Sequence, residues 1–295
     1  SGSTGVPKEI RLLKADMRAS AEATNAFFGI GRESVLALPL SEGYIAGKMM
    51  AVRADISGAR LLELPVSNRI CLTERVDLLA VVPSQLDSLI SEPCPQLVGN
   101  LLIGGGAPDA AKCAALVGLG YRVYISYGMT ETCSHVALAR GDDPDRVFHA
   151  MPGISFGNLP DGRLAIRCPR YSFGYLETND LAEVLTPASF RWRGRADGVI
   201  NSGGIKYVPE ELERVYAPAL EGVRYYVSSV KDARWGQAVA LVAEMPAADM
   251  ADVMRRLESV VGDRRRLPKH IFAVESLPEA SNGKIRRLPP DELKK

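Results

Sequence analysis

Apolar positions along the first half of the chain come in short runs separated by stretches of helical period. Asp16 to Gly29 places Met17, Ala21 and Phe28 on one side and predicts a helix, and Ser34 to Leu40 predicts a buried strand interrupted at Pro39. A second, mostly apolar helix opens near Gly47 and runs past Arg53; strands follow at 60–65 and 78–83, a Ser84-capped helix at 84–91, a strand at 97–103 and a helix at 109–118. From Tyr121 the pattern alternates, with Tyr121, Val123 and Ile125 on one side and Arg122, Tyr124 and Ser126 on the other, until Gly128 turns the chain. Strands alternating with helices predict an α/β domain with a largely parallel sheet. After His135 the periodicity fades into turns at Pro152-Gly153, Asn158 and Pro160-Asp161-Gly162, with short strands at 163–167 and 182–185 suggesting a small β subdomain. Arg191 to Gly204 reads as a crossing. Beyond it a helix at 209–217, strands at 223–230 and 238–244, a helix at 247–261 and a strand at 271–275 predict a separate small α+β unit.

The stretch after Gly128 carries the first candidate chemistry. Thr130-Glu131-Thr132 sets two hydroxyls around one carboxylate at the carboxyl end of a strand, where open α/β sheets bind ligands. A carboxylate there can hold Mg²⁺ and a hydroxyl can meet a phosphate oxygen; read alone, the same residues are an ordinary solvated turn. Gly104-Gly105-Gly106 at another strand end leaves room for a flat ring or a sugar. The opening Ser1-Gly2-Ser3-Thr4-Gly5-Val6-Pro7-Lys8 offers backbone N–H groups, hydroxyls and a lysine to a polyphosphate, or is a linker, and it lacks the spacing of a Walker loop. Lys48 and Arg53 are the cations of an otherwise apolar helical stretch, roughly 140° apart around its axis. A cation buried there asks for an anion, while one at the surface would simply snorkel. A Cys133/His135 nucleophile is weaker, because no group to lower a thiol pKa stands nearby in sequence.

Composition narrows the classes. A chain of 295 residues with net charge +1 has length for two domains and none of the basic excess that nucleic-acid binding requires. Cys71, Cys94, Cys113, Cys133 and Cys168 are odd in number and form no CxxC pair, which argues against a disulfide framework or a zinc cluster and suits a reducing cytoplasm. No apolar run approaches a membrane span. The pattern leaves oligomer formation open.

Five motifs spread over the whole chain give a more specific reading. Ser1 to Lys8, Tyr127-Gly128-Met129-Thr130-Glu131-Thr132, Thr178-Asn179-Asp180, Gly194-Arg195-Ala196-Asp197 with Ser202-Gly203-Gly204, and Asn282-Gly283-Lys284 follow one another in this order. Together they resemble the signature motifs of the adenylate-forming superfamily of acyl- and aryl-CoA synthetases. The resemblance implies a large ATP- and substrate-binding domain over 1–194, a hinge at 195–198 and a mobile C-terminal domain over 199–295. It implies ATP, Mg²⁺ and CoA as cofactor and co-substrates, with a small-molecule carboxylate as partner. It assigns Lys284, Thr130, Glu131 and Lys8 to catalysis, with Glu131 on the metal. To ATP it assigns Ser1, Gly2, Ser3, Thr4, Gly5, Gly104, Gly105, Gly106, Ser126, Tyr127, Gly128, Asp180 and Arg195. Asp197 corresponds to the hinge residue, and Gly203, Gly204 and Lys206 belong to the thiol side. Where the family more often has Thr-Gly-Asp, Asn179 stands here, and asparagine tolerates the left-handed conformation that glycine would supply. Family members carry more chain before the first motif, so an N-terminal truncation is expected.

Within the superfamily the chain is most similar to the short o-succinylbenzoate–CoA ligases. Tyr44 to Met50, Tyr127 to Thr132 with Ser134 and His135, and Val199 to Gly204 carry that likeness. It implies a substrate pocket formed by Tyr44, Lys48 and Arg53, with Tyr44 where many relatives carry His. Loading of a carrier-protein thiol and a catalytically silent nucleotide-binding homologue stay open beside it.

Overall fold

In the computed structural model, which describes residues 9–279 and 285–293, the apolar runs of the first half become strands of one sheet. Helix α1 (Lys14–Phe28) precedes β1 (Val35–Leu38); α2 (Ile45–Ser57) leads to β2 (Arg60–Glu63). Then come β3 (Val76–Val81), α3 (Leu86–Ser91), β4 (Val98–Ile103), α4 (Ala110–Gly118) and β5 (Val123–Gly128). Strands β2, β1, β3, β4 and β5 lie side by side in that order and all four pairings are parallel, as strand–helix alternation requires. Their side chains fill the core: Leu36, Leu78, Leu79, Leu101 and Ile103 are fully enclosed.

The polarity of the sheet reverses at β5. A 3₁₀ turn over Thr130–Thr132 returns the chain as β6 (His135–Arg140), antiparallel to β5, and β7 (Val147–Ala150) is antiparallel to β6. Strands β8 (Ser155–Asn158), β9 (Arg163–Cys168), β10 (Gly174–Thr186) and β11 (Ser189–Arg195) continue the same sheet to eleven strands in the order β2-β1-β3-β4-β5-β6-β7-β11-β10-β9-β8. The fading periodicity after His135 is therefore a change of strand environment. Five consecutive residues of β6, His135 to Ala139, are buried, so the polar–apolar alternation that marks a half-exposed strand is absent. Thr178-Asn179-Asp180 lies within the 13-residue β10, in extended backbone, so the tolerance of asparagine for the left-handed region is not drawn on; Cys133 and Arg146 are the positive-φ residues other than glycine among the described residues. Of the stretch read as a crossing, Arg191 to Arg195 belong to β11.

The chain divides into two compact units, residues 1–178 with 183–192, and residues 179–182 with 193–295. The second contains β12 (Ile200–Ser202), β13 (Ile205–Tyr207), α5 (Pro209–Tyr216), β14 (Arg224–Asp232), β15 (Gly236–Glu244), α6 (Met250–Val260) and β16 (His270–Val274). Its five strands run β13-β12-β15-β14, with β16 parallel to β15. Leu212 and Tyr216 of α5 and Val253 and Leu257 of α6, each pair four residues apart, close one core over Val227, Val239 and Leu241. Among the described residues no helix is long and apolar enough to cross a membrane.

Candidate active site

In the first unit the parallel strands β3, β4 and β5 end next to one another, and Gly104, Gly105, Gly106, Ser126, Tyr127 and Gly128 of the predicted nucleotide residues lie at the carboxyl ends of β4 and β5. A side chain at Gly104 would stand 2.8 Å from Ser126 Oγ, which itself donates to the Ile103 carbonyl at 3.0 Å. Gly104 and Ser126 are thus brought together from β4 and β5. Gly105 and Gly106 continue past Val82 and Pro83 at the end of β3. Tyr127 turns the other way. Its ring packs edge-on against Phe190 at 4.9 Å and Phe148 at 5.8 Å.

The turn after β5 sorts its own residues. Thr132 is completely enclosed: its hydroxyl accepts from Met129 N–H at 3.0 Å and donates to the Ser134 carbonyl at 2.7 Å. Of the two predicted hydroxyls, Thr132 therefore ties the turn, while Thr130 and Glu131 remain half-buried. Gly128 is required at the neck, because a Cβ there would lie 2.1 Å from the Ser134 carbonyl oxygen. Thr130 lines a cavity of about 340 Å³ together with Tyr44 and Lys48, and Ile10, Leu12 and Met17 form its apolar side. Two of the three predicted substrate residues share this cavity with one predicted catalytic residue.

Arg53 lies elsewhere on the same helix. Lys48 is exposed and Arg53 is 2% exposed, as their angular separation on α2 implies. The Arg53 guanidinium donates from one Nη to Ser134 Oγ at 2.7 Å, its other Nη lies 3.5 Å from Met50 Sδ, and its Nε has no hydrogen-bond partner. No carboxylate pairs with it among the described residues. Burial lowers its pKa to about 10. Beside it His135, also buried, places Nε2 3.1 Å from Thr24 Oγ1 and Nδ1 3.4 Å from Ser134 Oγ. Burial first, and the Arg53 charge second, hold this imidazole well below its usual pKa and therefore neutral. Sequence reasoning did not find Thr24, which sits mid-helix with a hydroxyl that looks like any surface threonine, nor Asp16, whose carboxylate accepts the Ser172 N–H and hydroxyl across 156 residues of chain. Cys133 is no nucleophile: burial pushes its thiol up to about 11.

In the second unit Asp180 and Arg195 meet. Arg195 Nη1 is 3.7 Å from Asp180 Oδ1, and the rest of its fork holds Asp197, at 3.2 Å from Nε and 2.8 Å from Nη2. Asn179 donates to the same Asp197 at 3.3 Å. The arginine beside it keeps Asp197 below the usual carboxylate range. Gly203 and Gly204 make the turn between β12 and β13, with Gly203 N–H on the Trp235 carbonyl at 2.9 Å; Lys206 lines a cavity of about 420 Å³ with Tyr207, Asp263, Arg265 and Arg266. Ser1, Gly2, Ser3, Thr4, Gly5, Lys8 and Lys284 lie outside the described residues.

No group of three or more His, Cys, Asp and Glu side chains that could cage a metal exists among the described residues. A single carboxylate fits Mg²⁺, which keeps waters and takes one or two carboxylates plus substrate phosphates, and Glu131 is half-buried at the strand end.

A mixed sheet with glycines and a Thr-Glu turn at adjoining carboxyl ends, followed by a small α+β unit, has the architecture of an adenylate-forming enzyme. The chain belongs to the AMP-binding enzyme family, whose model matches residues 1–157. It is similar to a solved acyl-CoA synthetase (AMP-forming)/AMP-acid ligase II-like protein from Dyadobacter fermentans, 33% identical over 97% of this chain and 85% of that one, with a TM-score of 0.61. A curated 2-succinylbenzoate–CoA ligase of Enterococcus faecalis is 28% identical and one of Bacillus cereus 23%, each over 97% of this chain and 67% of its own length. A Staphylococcus aureus ligase of the same name is 26% identical over 64% of its length, so the chain spans about two thirds of these curated relatives. The Bacillus subtilis o-succinylbenzoate CoA synthetase bound to its acyl-adenylate shares the fold, with a TM-score of 0.82 at 21% identity. By class this is an AMP-forming ligase of the CoA-synthetase type.

Proposed function

We propose that the chain activates o-succinylbenzoate with ATP and passes the acyl group to CoA, the ligation that supplies menaquinone biosynthesis. The carboxylate oxygen attacks the α-phosphorus and pyrophosphate leaves; the CoA thiol then attacks the carbonyl of the mixed anhydride and AMP leaves. A carboxylate alone would have to expel oxide, and the adenylate provides a far better leaving group. The protein's part is positioning and neutralising charge on phosphate. On this reading Thr130 and Lys8 meet phosphate oxygens, Glu131 would hold Mg²⁺, Lys284 meets the developing charge of the first step, and Asp180 and Arg195 exchange their mutual ion pair for the ribose hydroxyls.

One observation carries the choice of substrate. The Arg53 fork is buried without an acidic partner among the described residues, hydrogen-bonded to Ser134, two residues past the Thr130–Thr132 turn. A desolvated cation of this kind is complete only when an anion arrives. A dicarboxylate supplies one carboxylate for activation and a second for a planar, bidentate fork. Lys48, on the open cavity beside Tyr44, is the weaker partner because it is solvated. Loss of one partner of a buried charge pair costs about 2–5 kcal/mol. Arg53→Ala should therefore lower kcat/KM for succinylbenzoate by roughly 30-fold to a few thousandfold on the scale of that energy, with a smaller effect from Lys48→Ala. ATP binding and the use of a mono-carboxylate analogue should hold. A dicarboxylate preference equal in wild type and both variants would rule the substrate out. Supplying CoA and a carrier-protein thiol in parallel identifies the acceptor.

A further inference from the structure

In the second unit Glu279 and Ile285, on either side of Lys284 in the chain, pair as an isolated antiparallel bridge. Each limb of this neck is clamped by an arginine fork. On the incoming limb, Glu279 pairs with Arg224 at the start of β14, and Arg224 also bridges to Glu244 at the end of β15 at 3.1 Å. Glu244 in turn accepts the Leu277 N–H at 3.2 Å. On the outgoing limb, Arg287 donates Nη1 to Glu210 at 2.8 Å and Nη2 to Glu213 at 2.6 Å. Arg286 N–H reaches the Pro278 carbonyl at 2.8 Å, joining limb to limb, and the Tyr226 hydroxyl holds the Leu288 carbonyl at 2.9 Å. Ile285 and Leu293 pack against Tyr226, Val242 and Leu277.

The second clamp has an unusual reach. Glu210 and Glu213, one turn apart on α5, expose only 10% and 17% of their side chains. Two carboxylates so enclosed and so near each other repel unless a cation lies between them, and the planar fork of Arg287 serves both at once. Glu213 Oε1 also accepts the Val227 N–H at 2.8 Å, which fixes it to β14. The other oxygen of Glu210 lies 3.4 Å from the Arg195 N–H, and a Cβ on Gly194 would stand 2.4 Å from it. The same helix therefore holds the limb that follows Lys284 and the backbone two residues before Asp197.

We propose that Arg287 is a positioning residue for the adenylation step: its fork to Glu210 and Glu213 fixes the limb that leads out of Lys284. The proposal rests on the role given to Lys284 above. A lysine delivers its charge from a long stem, so the accuracy of its placement depends on the backbone beneath it, and a displacement of about 1 Å costs on the order of a hundredfold in rate.

The test uses the full chain carrying Arg287→Ala, Arg287→Lys or Glu213→Gln. ATP–pyrophosphate exchange with succinylbenzoate reads the first half-reaction, and thioester formation from supplied acyl-adenylate and CoA reads the second. Arg287→Ala should lower exchange by roughly 10- to 100-fold, leave the KM for ATP within about twofold, and leave the second half-reaction within about twofold, because Lys284 serves only the first. Arg287→Lys should recover part of the loss, since an ammonium meets one carboxylate but cannot span both. Glu213→Gln, which keeps its shape, should lose a smaller part in the same half-reaction. Equal loss in both half-reactions, or unchanged exchange, overturns the positioning role. If Arg287→Ala does not fold, the lysine and glutamine variants decide in the same terms. A wild type that exchanges with no carboxylate overturns the role given to Lys284, and the positioning role with it. Amide exchange at Ile285 to Leu288, expected to quicken at least tenfold in Arg287→Ala, then reports separately whether the clamp holds.

Discussion

Glu213 illustrates how one side chain writes a pH dependence into stability. Facing it are Arg287 from the C-terminal limb, Glu210 and Arg214 on its own helix, and the Val227 N–H of β14; burial outweighs these and raises its pKa to about 7. In the unfolded chain the same carboxyl ionises near 4.5. Between those values the folded state holds a proton the unfolded state has lost, so stability falls as pH rises from about 4.5 to about 7 and is flat above. The midpoint of thermal unfolding of Glu213→Gln, which cannot ionise, should rise relative to wild type across that interval and stay level from pH 7.5 upward. A difference between the two proteins that does not vary with pH would refute the assignment. At this scale Arg53 was legible from sequence as one of two cations in an apolar helix, with burial and snorkelling both open until the structure placed it at 2% exposure. Its neighbours Thr24 and His135 were not, since the pairing spans 111 residues and no local pattern records it.

The β5–turn–β6 element was half legible. Alternation and a glycine announced the strand and its end, and Tyr121, Val123 and Ile125 are all buried as the pattern required. The returning strand was hidden because burial on both faces erases alternation. Of β10 only a short strand at 182–185 was legible, for the related reason that a 13-residue strand with mixed exposure does not look like one. Gly128→Ala tests the element: its Cβ would enter the space of the Ser134 carbonyl and come within 2.5 Å of His135 Cα. Backbone cannot yield as a side-chain tip can, so a loss of about 3 kcal/mol is expected in denaturant unfolding, at the upper end of what overpacking typically costs. Activity should fall along with it, since Thr130 and Ser134 are carried by the same turn. An alanine variant of wild-type stability would mean that the two strands are not this close.

For the whole molecule, the order of the five motifs was readable along the chain even where strand periodicity fails, because a motif needs only local residue types and a periodicity needs one face exposed. What the motifs leave to experiment is the division of labour between half-reactions. Lys284→Ala should depress adenylate formation by about 10²–10³, the cost of removing one charge contact from a transition state, and spare thioester formation from supplied adenylate. Asp197→Pro should do the reverse. Asp197 sits in the 3₁₀ turn Ala196–Gly198, and a proline there fixes φ where a hinge must change it. Equal effects of either substitution on both steps, read by pyrophosphate exchange and by thioester release, would remove the hinge from the account.

The turn that reverses the sheet at Gly128 also has a bearing on how such an enzyme diversifies. Thr130 and Glu131 stand at its outgoing end and Ser134 and His135 at its returning end, with Thr132 tying the middle to the backbone on both sides. On the proposed reading, the outgoing end serves the nucleotide, which is the same for every acid, and the returning end serves the acyl group, which differs. Mutational drift at two or three neighbouring codons can therefore retune the acid accepted while the phosphate chemistry, held by the other side of one buried threonine, is inherited unchanged.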